Sequence, residues 1–267
     1  MVRRVQPGAE MPFLDHLEEL RKRLFWIIGS VLVGFSGALA AHQRYDLITL
    51  LKAPVCAYLP PGCTLQVLSP MDPITIGFSL AFWAGVVFAS PVILYQLWGF
   101  VAPALYPNER RISGYVAAGG VLLFLAGVAL AYFFVLPATI QFAATFGGPS
   151  LELNFAAREY FSMLSMLLLT FGIAFELPIV IVALTALGLV TPTFLKQYRR
   201  HAFVLCAVGS ALITPGDLFT ATLMLIAPLY ALYELGILLS RGAYRWRQRR
   251  ERGDESIGVP SEAQGSA

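Results

Sequence analysis

Long apolar runs organise this chain. No Asp, Glu, Lys or Arg occurs from Leu24 to Ala41, from Pro73 to Asn108 or from Ile112 to Leu151. Tyr160 to Leu195 is interrupted only by Glu176, and Leu218 to Ser240 only by Glu234. His201 to Gly216 is uncharged but short. A helix crosses about 30 Å of hydrocarbon with about 20 mostly apolar residues. The pattern therefore predicts six helices near 24–43, 75–101, 112–136, 160–188, 201–215 and 218–239. The runs are continuous and do not alternate, which argues against a strand barrel. The fifth helix reaches only about 21 Å at 1.5 Å per residue, so local thinning or tilt must absorb the mismatch.

Polar positions frame the apolar ones. Phe13, Leu17, Leu20 and Leu24 share one helical face ahead of the first run, which predicts an interfacial amphipathic helix. Asp15 is its candidate N-cap, with Glu18 three residues on. Glu18 with Lys22 and Glu19 with Arg23 have the i,i+4 spacing of helical ion pairs. Three regions follow: an N-terminal tail over 1–23 carrying the interfacial helix, a six-helix transmembrane domain over 24–239, and a tail over 240–267. That last tail is basic at first and expected to be disordered from Gly253. The first run is no cleaved signal peptide, because 23 residues precede it and no small-residue cleavage pattern ends it.

Charge sets the orientation. Alternate loops and both tails hold 16 of the 19 Lys and Arg residues; the other loops hold 3. Cytoplasmic loops carry the excess, so both termini are expected in the cytoplasm. The net charge of +3 then implies no nucleic-acid partner. Arg241 to Arg252 fits anionic lipid headgroups. The composition agrees with this class: 57% of the 267 residues are hydrophobic and 13% charged. So few charges cannot cover the core of a water-soluble protein of this length.

Cys56 and Cys63 flank Leu59-Pro60-Pro61-Gly62 in the first long outer loop. They form either a local disulfide or two free thiols. Cys206 reads as helix packing. His16, His42 and His201 stand at helix ends, an arrangement that suggests no metal cluster. H-E-x-x-H, G-x-S-x-G and P-loop motifs are absent from the sequence, so neither catalysis nor a cofactor is expected.

Three acids stand out. Glu19 is either a solvated charge on an anchoring helix or an acid partly free to take an external cation. Glu109 is the single acid of the short second loop, and pairs with Arg110 or Arg111 unless it too receives a ligand. Glu176 lies in mid-run beside Pro178, where a carboxylate costs a few kcal/mol. It is either a neutral acid bonded to a neighbouring helix or a functional group. Pro178 is expected to bend its helix, and Pro91, Pro137 and Pro228 to bend or end theirs. Glu234 reads as structural, with Arg241 as partner.

Taken together, His16-Leu17-Glu18-Glu19-Leu20-Arg21-Lys22-Arg23-Leu24, the block Ser90 to Tyr106 running into Glu109-Arg110-Arg111, Phe175-Glu176-Leu177-Pro178 and Thr214-Pro215-Gly216-Asp217 resemble the TatC family of twin-arginine translocase receptors, in order over about 12–245. The resemblance implies a concave, glove-like bundle in the cytoplasmic (inner) membrane and a non-enzymatic receptor. It implies binding of twin-arginine signal peptides and export of folded proteins, driven by the proton-motive force. Acids matching Glu19 and Glu109 form the family's recognition site, and Arg21, Phe100, Pro103, Leu105, Tyr106 and Arg111 match its surroundings. The acid matching Glu176 faces the family's hollow. Thr214, Asp217 and Thr220 match a polar region toward partner helices. Implied partners are the single-span subunits TatA and TatB, near the fifth and sixth helices, and further copies of the chain. Two departures concern the fifth turn: Gly216 replaces the usual second proline, and Thr220-Ala221 replaces the usual Ser-Gln. The rival class is a proton-coupled small-solute transporter with Glu176 as carrier, but the sequence has neither an internal repeat nor a second mid-membrane polar group.

Overall fold

A computed structural model describes residues 13–56, 64–105, 110–146, 155–213 and 220–257. Side chains at several helix ends, including 13–16, 101–105, 110–113 and 220–224, lie outside the description. The described residues are helical apart from short connections and one isolated bridge between Gln66 and Ala156. They form two compact units, Met1–Leu169 and Thr170–Ala267.

In the first unit, α1 (Phe13–Arg44) is a single helix. The expected interfacial helix and first span are thus one element, because nothing between Arg23 and Phe25 breaks a helix. Asp15, the expected N-cap, is helical within α1, and its side chain lies outside the described residues. Both expected i,i+4 pairs form, Lys22–Glu18 at 2.9 Å and Arg23–Glu19 at 2.6 Å. A short helix absent from the sequence reading, α2 (Leu47–Lys52), follows. Asp46 caps it by accepting from Thr49 N at 3.2 Å and from the Thr49 hydroxyl. The hydroxyl bond first, and then the backbone bond, hold the Asp46 carboxyl below its ordinary range. The cap is therefore complete above the ordinary carboxylate pKa and is lost as pH falls through the depressed value. Tyr132 and Tyr160 donate to the Leu50 and Leu51 carbonyls at 2.8 and 2.9 Å, which satisfies the last turn of α2.

Helix α3 (Asp72–Leu105) runs antiparallel to α1, and Pro91 does not interrupt it. Three contacts mark the pairing: Arg23 with Gln96, Gly34 with Gly85 and His42 with Gly77. At the middle one, a Cβ on Gly34 would stand 2.5 Å from the Gly85 carbonyl oxygen, and a Cβ on Gly85 would stand 2.5 Å from Phe35 N. Apolar attraction does not join helices within lipid, so such close backbone approach supplies the packing. The buried Asp72 carboxylate accepts from Ser69 N at 2.9 Å and Leu68 N at 3.2 Å, and pairs with Arg158 at 3.8 Å.

The third span is longer than expected. α4 (Arg110–Leu130) passes through a π-helical turn over Ala131–Val135 into α5 (Leu136–Phe146). Pro137 has no N–H and its ring crowds the carbonyl four residues back. The π turn widens the helix just ahead of it, so the chain continues where the proline signal suggested an end. An apolar cavity of about 530 Å³ lies in this unit, lined by residues including Ala38, Trp83, Phe88, Leu125 and Leu164. Trp26, Val33 and Phe88 stay exposed, as side chains facing hydrocarbon do.

α6 (Ala157–Phe175) leads into the second unit and ends one residue before Glu176. α7 (Leu177–Ala186) begins just after, with Pro178 in its first turn. At the expected bend the helix is interrupted at Glu176 alone, which keeps right-handed helical torsions. The Glu176 N–H turns back to Ile173 O at 3.0 Å, and Glu176 O accepts from Val180 N at 3.0 Å. α7 closes in a Schellman motif: Leu189 N bonds Leu184 O, Gly188 N bonds Thr185 O, and Gly188 takes φ 79°. α8 (Pro192–Gln197) is capped by the Thr191 hydroxyl. α9 (Arg199–Ile213) has 15 residues, about 22 Å, and is short as expected. α10 (Thr220–Ile257) contains Pro228 without a break and runs well past the expected end near 239. The part of the tail expected to be disordered is therefore helical as far as Ile257. Ile181, Leu195, Tyr233 and Ile237 make the core of this unit. Gly236 allows α7 and α10 to touch: its Cβ would meet Ile181 Cδ1 at 2.6 Å.

Glu234 pairs with Arg199 at 2.5 Å and accepts from the Tyr230 hydroxyl at 3.1 Å. The expected partner Arg241 is displaced by a residue that tertiary folding brings from α9. Cys56 is disulfide-bonded, which removes the free-thiol reading for it, while Cys63 lies outside the described residues. Cys206 is free and half-buried in α9. Among the described residues, five helical stretches meet the length and apolarity needed to cross a membrane: Leu17–Arg44, Asp72–Phe100, Val116–Ala143, Ala157–Ala186 and Leu225–Arg245. The chain is an all-α, multi-pass membrane protein.

The glycine contact makes a sharp contrast. Gly85→Ala places its methyl against backbone and is expected to cost about 1–3 kcal/mol. Gly29→Ala meets open space and is expected to be neutral or to stabilise by up to about 1 kcal/mol. Thermal unfolding in detergent, with both variants lowering the midpoint equally, would contradict this packing.

Candidate functional site

The acid-bearing end of α1 is built by a helical turn and by α3. Glu19 and Arg23 are one turn apart on the same face, so their side chains meet. Arg23 Nε and Nη2 both donate to one oxygen of Glu19, Oε1, at 3.0 and 2.6 Å. Arg23 Nη1 donates to the backbone oxygen and to the side-chain Oε1 of Gln96, each at 3.3 Å. Gly99 lies beside this guanidinium, where a Cβ would stand 2.3 Å from Nη1. Neither partner is sealed from outside: the Arg23 side chain is 22% exposed and that of Glu19 28%. Among the described residues, Glu19 Oε2 accepts no hydrogen bond. The carboxylate is thus oriented by one side and left with lone pairs on the other.

The remaining expected site residues fall into three groups. Arg21 is exposed on α1 with its guanidinium 5.6 Å from the Phe25 ring centre, a cation–π contact. Phe100 is half-buried on α3, four residues after Gln96 and so on the same helical side. Pro103 and Leu105 belong to the last turn of α3, and Arg111 to the first turn of α4, but their side chains lie outside the description. Tyr106 and Glu109 fall between those helices, outside the described residues.

Glu176 belongs to the second unit, half-buried at the junction of α6 and α7, where its side chain caps nothing. Thr214 and Asp217 lie outside the described residues, and Thr220 is the first residue of α10, its side chain likewise outside. No group of three or more His, Cys, Asp or Glu fit to hold a metal occurs among the described residues.

Sequence reasoning missed Gln96 and Gly99. Gln96 carries no charge and sits in a long apolar run, and Gly99 has no side chain. The legible signal was the lone amide in an otherwise apolar stretch, which needs a polar neighbour once it enters a membrane.

Comparison with known proteins bears on the whole chain. Residues 15–228 match the family model "Sec-independent protein translocase protein (TatC)". The chain is 36% identical over 255 residues to the Sec-independent protein translocase protein TatCy of Bacillus subtilis (strain 168), spanning 93% of this chain and 96% of that one. It is 39% identical over 236 residues to the TatC protein of Deinococcus radiodurans, spanning 87% of each. Its fold is similar to the crystal structure of a twin-arginine translocase receptor TatC, with a TM-score of 0.75, 36% identity and coverage of 85% of this chain and 99% of the crystallised one. The family is one of protein-transport components that act with other translocase subunits. By the extent of the model match and by its relatives, this chain belongs to the TatC family of Sec-independent protein translocase proteins.

Proposed function

We propose that this protein is a receptor for twin-arginine signal peptides, in which Glu19 and Glu109 bind the two guanidinium groups at the cytoplasmic surface. The observation that carries the reading is the half-exposed Glu19 carboxylate, fixed through Oε1 and with Oε2 unoccupied among the described residues. The connection holding Glu109 leaves from the C-terminal end of α3, the same end that meets Glu19 through Arg23 and Gln96. Guanidinium pairs with carboxylate through a planar fork, which an ammonium does not reproduce. Arg21, Phe100, Pro103, Leu105, Tyr106 and Arg111 surround the bound motif in this reading.

Both termini then face the cytoplasm, and α9 serves as a short fifth of six spans. TatA and TatB bind near α9 and α10, where Thr214, Asp217 and Thr220 supply polar contacts. Glu176 hydrates or helps assemble this membrane-embedded part. Further copies of the chain join the complex. The arginines of α10 meet anionic headgroups, and the proton-motive force drives export of folded cargo.

Removing one acid of a desolvated, hydrogen-bonded charge pair costs about 2–5 kcal/mol. Glu19→Ala and Glu109→Ala are each expected to abolish crosslinking of a twin-arginine peptide and to block export; undiminished crosslinking in both rejects the site. A twin-lysine peptide is expected to bind the purified chain at least about tenfold more weakly. Equal binding removes the guanidinium argument. Glu176→Leu is expected to impair export while leaving peptide crosslinking intact, and full export by this variant ends that assignment.

A further inference from the structure

Arg23 already holds one oxygen of Glu19 with the chemical group that the receptor reading assigns to the ligand, so an incoming fork that needs both oxygens must displace it. Its Nε and Nη2 occupy Oε1, and its Nη1 is tethered to both oxygens of Gln96. A lysine at 23 has one nitrogen in place of the three that the guanidinium fork spreads over Glu19 and Gln96. The position of Nη1 also depends on glycine at 99, since a Cβ there would stand 2.3 Å from it and the guanidinium would have to shift. The pair is not a plain surface ion pair. The neighbouring Lys22–Glu18 pair has the same spacing but is 70% and 61% exposed, with no hydrogen bond to a third residue among the described residues.

We propose that Arg23 is a built-in competitor for the ligand, a guanidinium latched between Glu19 and Gln96 that the incoming arginine displaces from the carboxylate. This inference rests on the receptor reading and adds a resident occupant to its site. A site populated in its binding-competent form only part of the time shows an affinity reduced by that fraction. The reduction is the same for every cation that needs the site, because it belongs to the free protein. Arg23 therefore lowers the affinity for arginine and lysine peptides by one common factor. It raises the threshold for stable binding without changing the arginine-to-lysine ratio.

The test is fluorescence anisotropy of a labelled twin-arginine peptide, and of its twin-lysine version, on the purified full chain in detergent. Arg23→Gln is expected to tighten both about tenfold, with their ratio unchanged. Lys22→Gln removes the same charge from the exposed pair and is expected to give a gain below about twofold, which separates the latch from the general field. Gly99→Ala keeps every charge but pushes Nη1 away and is expected to tighten both peptides, while Gln96→Ala releases the tether and gives a smaller gain. In a Glu19→Gln background, Arg23→Gln is expected to give no gain, because the effect passes through that acid. Unchanged or weaker binding in Arg23→Gln together with no gain in Gly99→Ala and Gln96→Ala overturns the latch. A gain that differs between the arginine and lysine peptides also overturns it. Loss of binding in Glu19→Gln alone, with no latch effect, leaves the receptor reading standing. Full binding by Glu19→Gln removes the receptor reading itself.

Discussion

The contact between Gly34 and Gly85 is the constraint from which the first unit follows. Within hydrocarbon, two apolar helix faces gain little by leaving lipid for each other. Backbone-to-backbone approach supplies dispersion contacts that larger side chains would hold apart. Because α1 and α3 meet here without side chains between them, their ends are fixed as well. Eleven residues toward the N-terminus, three helical turns along the same face, α1 presents Arg23 to Gln96. A polar clamp at the rim is therefore placed by an apolar contact in the middle. Gln96 finds its partner there, and Glu19 is oriented without being enclosed.

The second unit solves a different problem with different means. Its middle is interrupted at Glu176, and α9 is too short to span the hydrocarbon core unaided. Cohesion comes from Gly236 against Ile181, from the Tyr233 hydroxyl on Leu195 O at 2.7 Å, and from Arg199 with Glu234. Two of these three are polar. Hydrogen bonds of this type join membrane helices where apolar packing gains little.

The spans were legible because lipid tolerates so few charges: the runs between ionisable residues are the helices. Boundaries were less so, for reasons local to each. Pro137 read as a bend or an end, and a π turn just ahead of it lets the helix continue. Pro178 read as a bend, and the helix is interrupted at one residue, which leaves Glu176 at a helix junction. No residue near 23 or 24 marks a break, so the amphipathic segment and the first span merged into α1. Partners distant in sequence were invisible. Glu19 and Arg23 are four apart and could be paired from spacing, whereas Arg199 and Glu234 are brought together only by folding. On α3, Phe100, Pro103 and Leu105 were named through the family resemblance, whereas Gln96 and Gly99 escaped notice because an amide and a glycine carry no charge pattern.

The length of α10 has a mechanical consequence. Its 38 residues extend about 57 Å, while the hydrocarbon core is about 30 Å thick. A helix that leaves the bilayer without a hinge behaves as a lever with its fulcrum among the packed residues around Gly236. Tilting the emergent basic arm by about 5° at the headgroup layer shifts its far end by about 3 Å and twists the buried portion as one rigid piece. Forces applied to that arm outside the membrane are thereby delivered to the seam between α7 and α10.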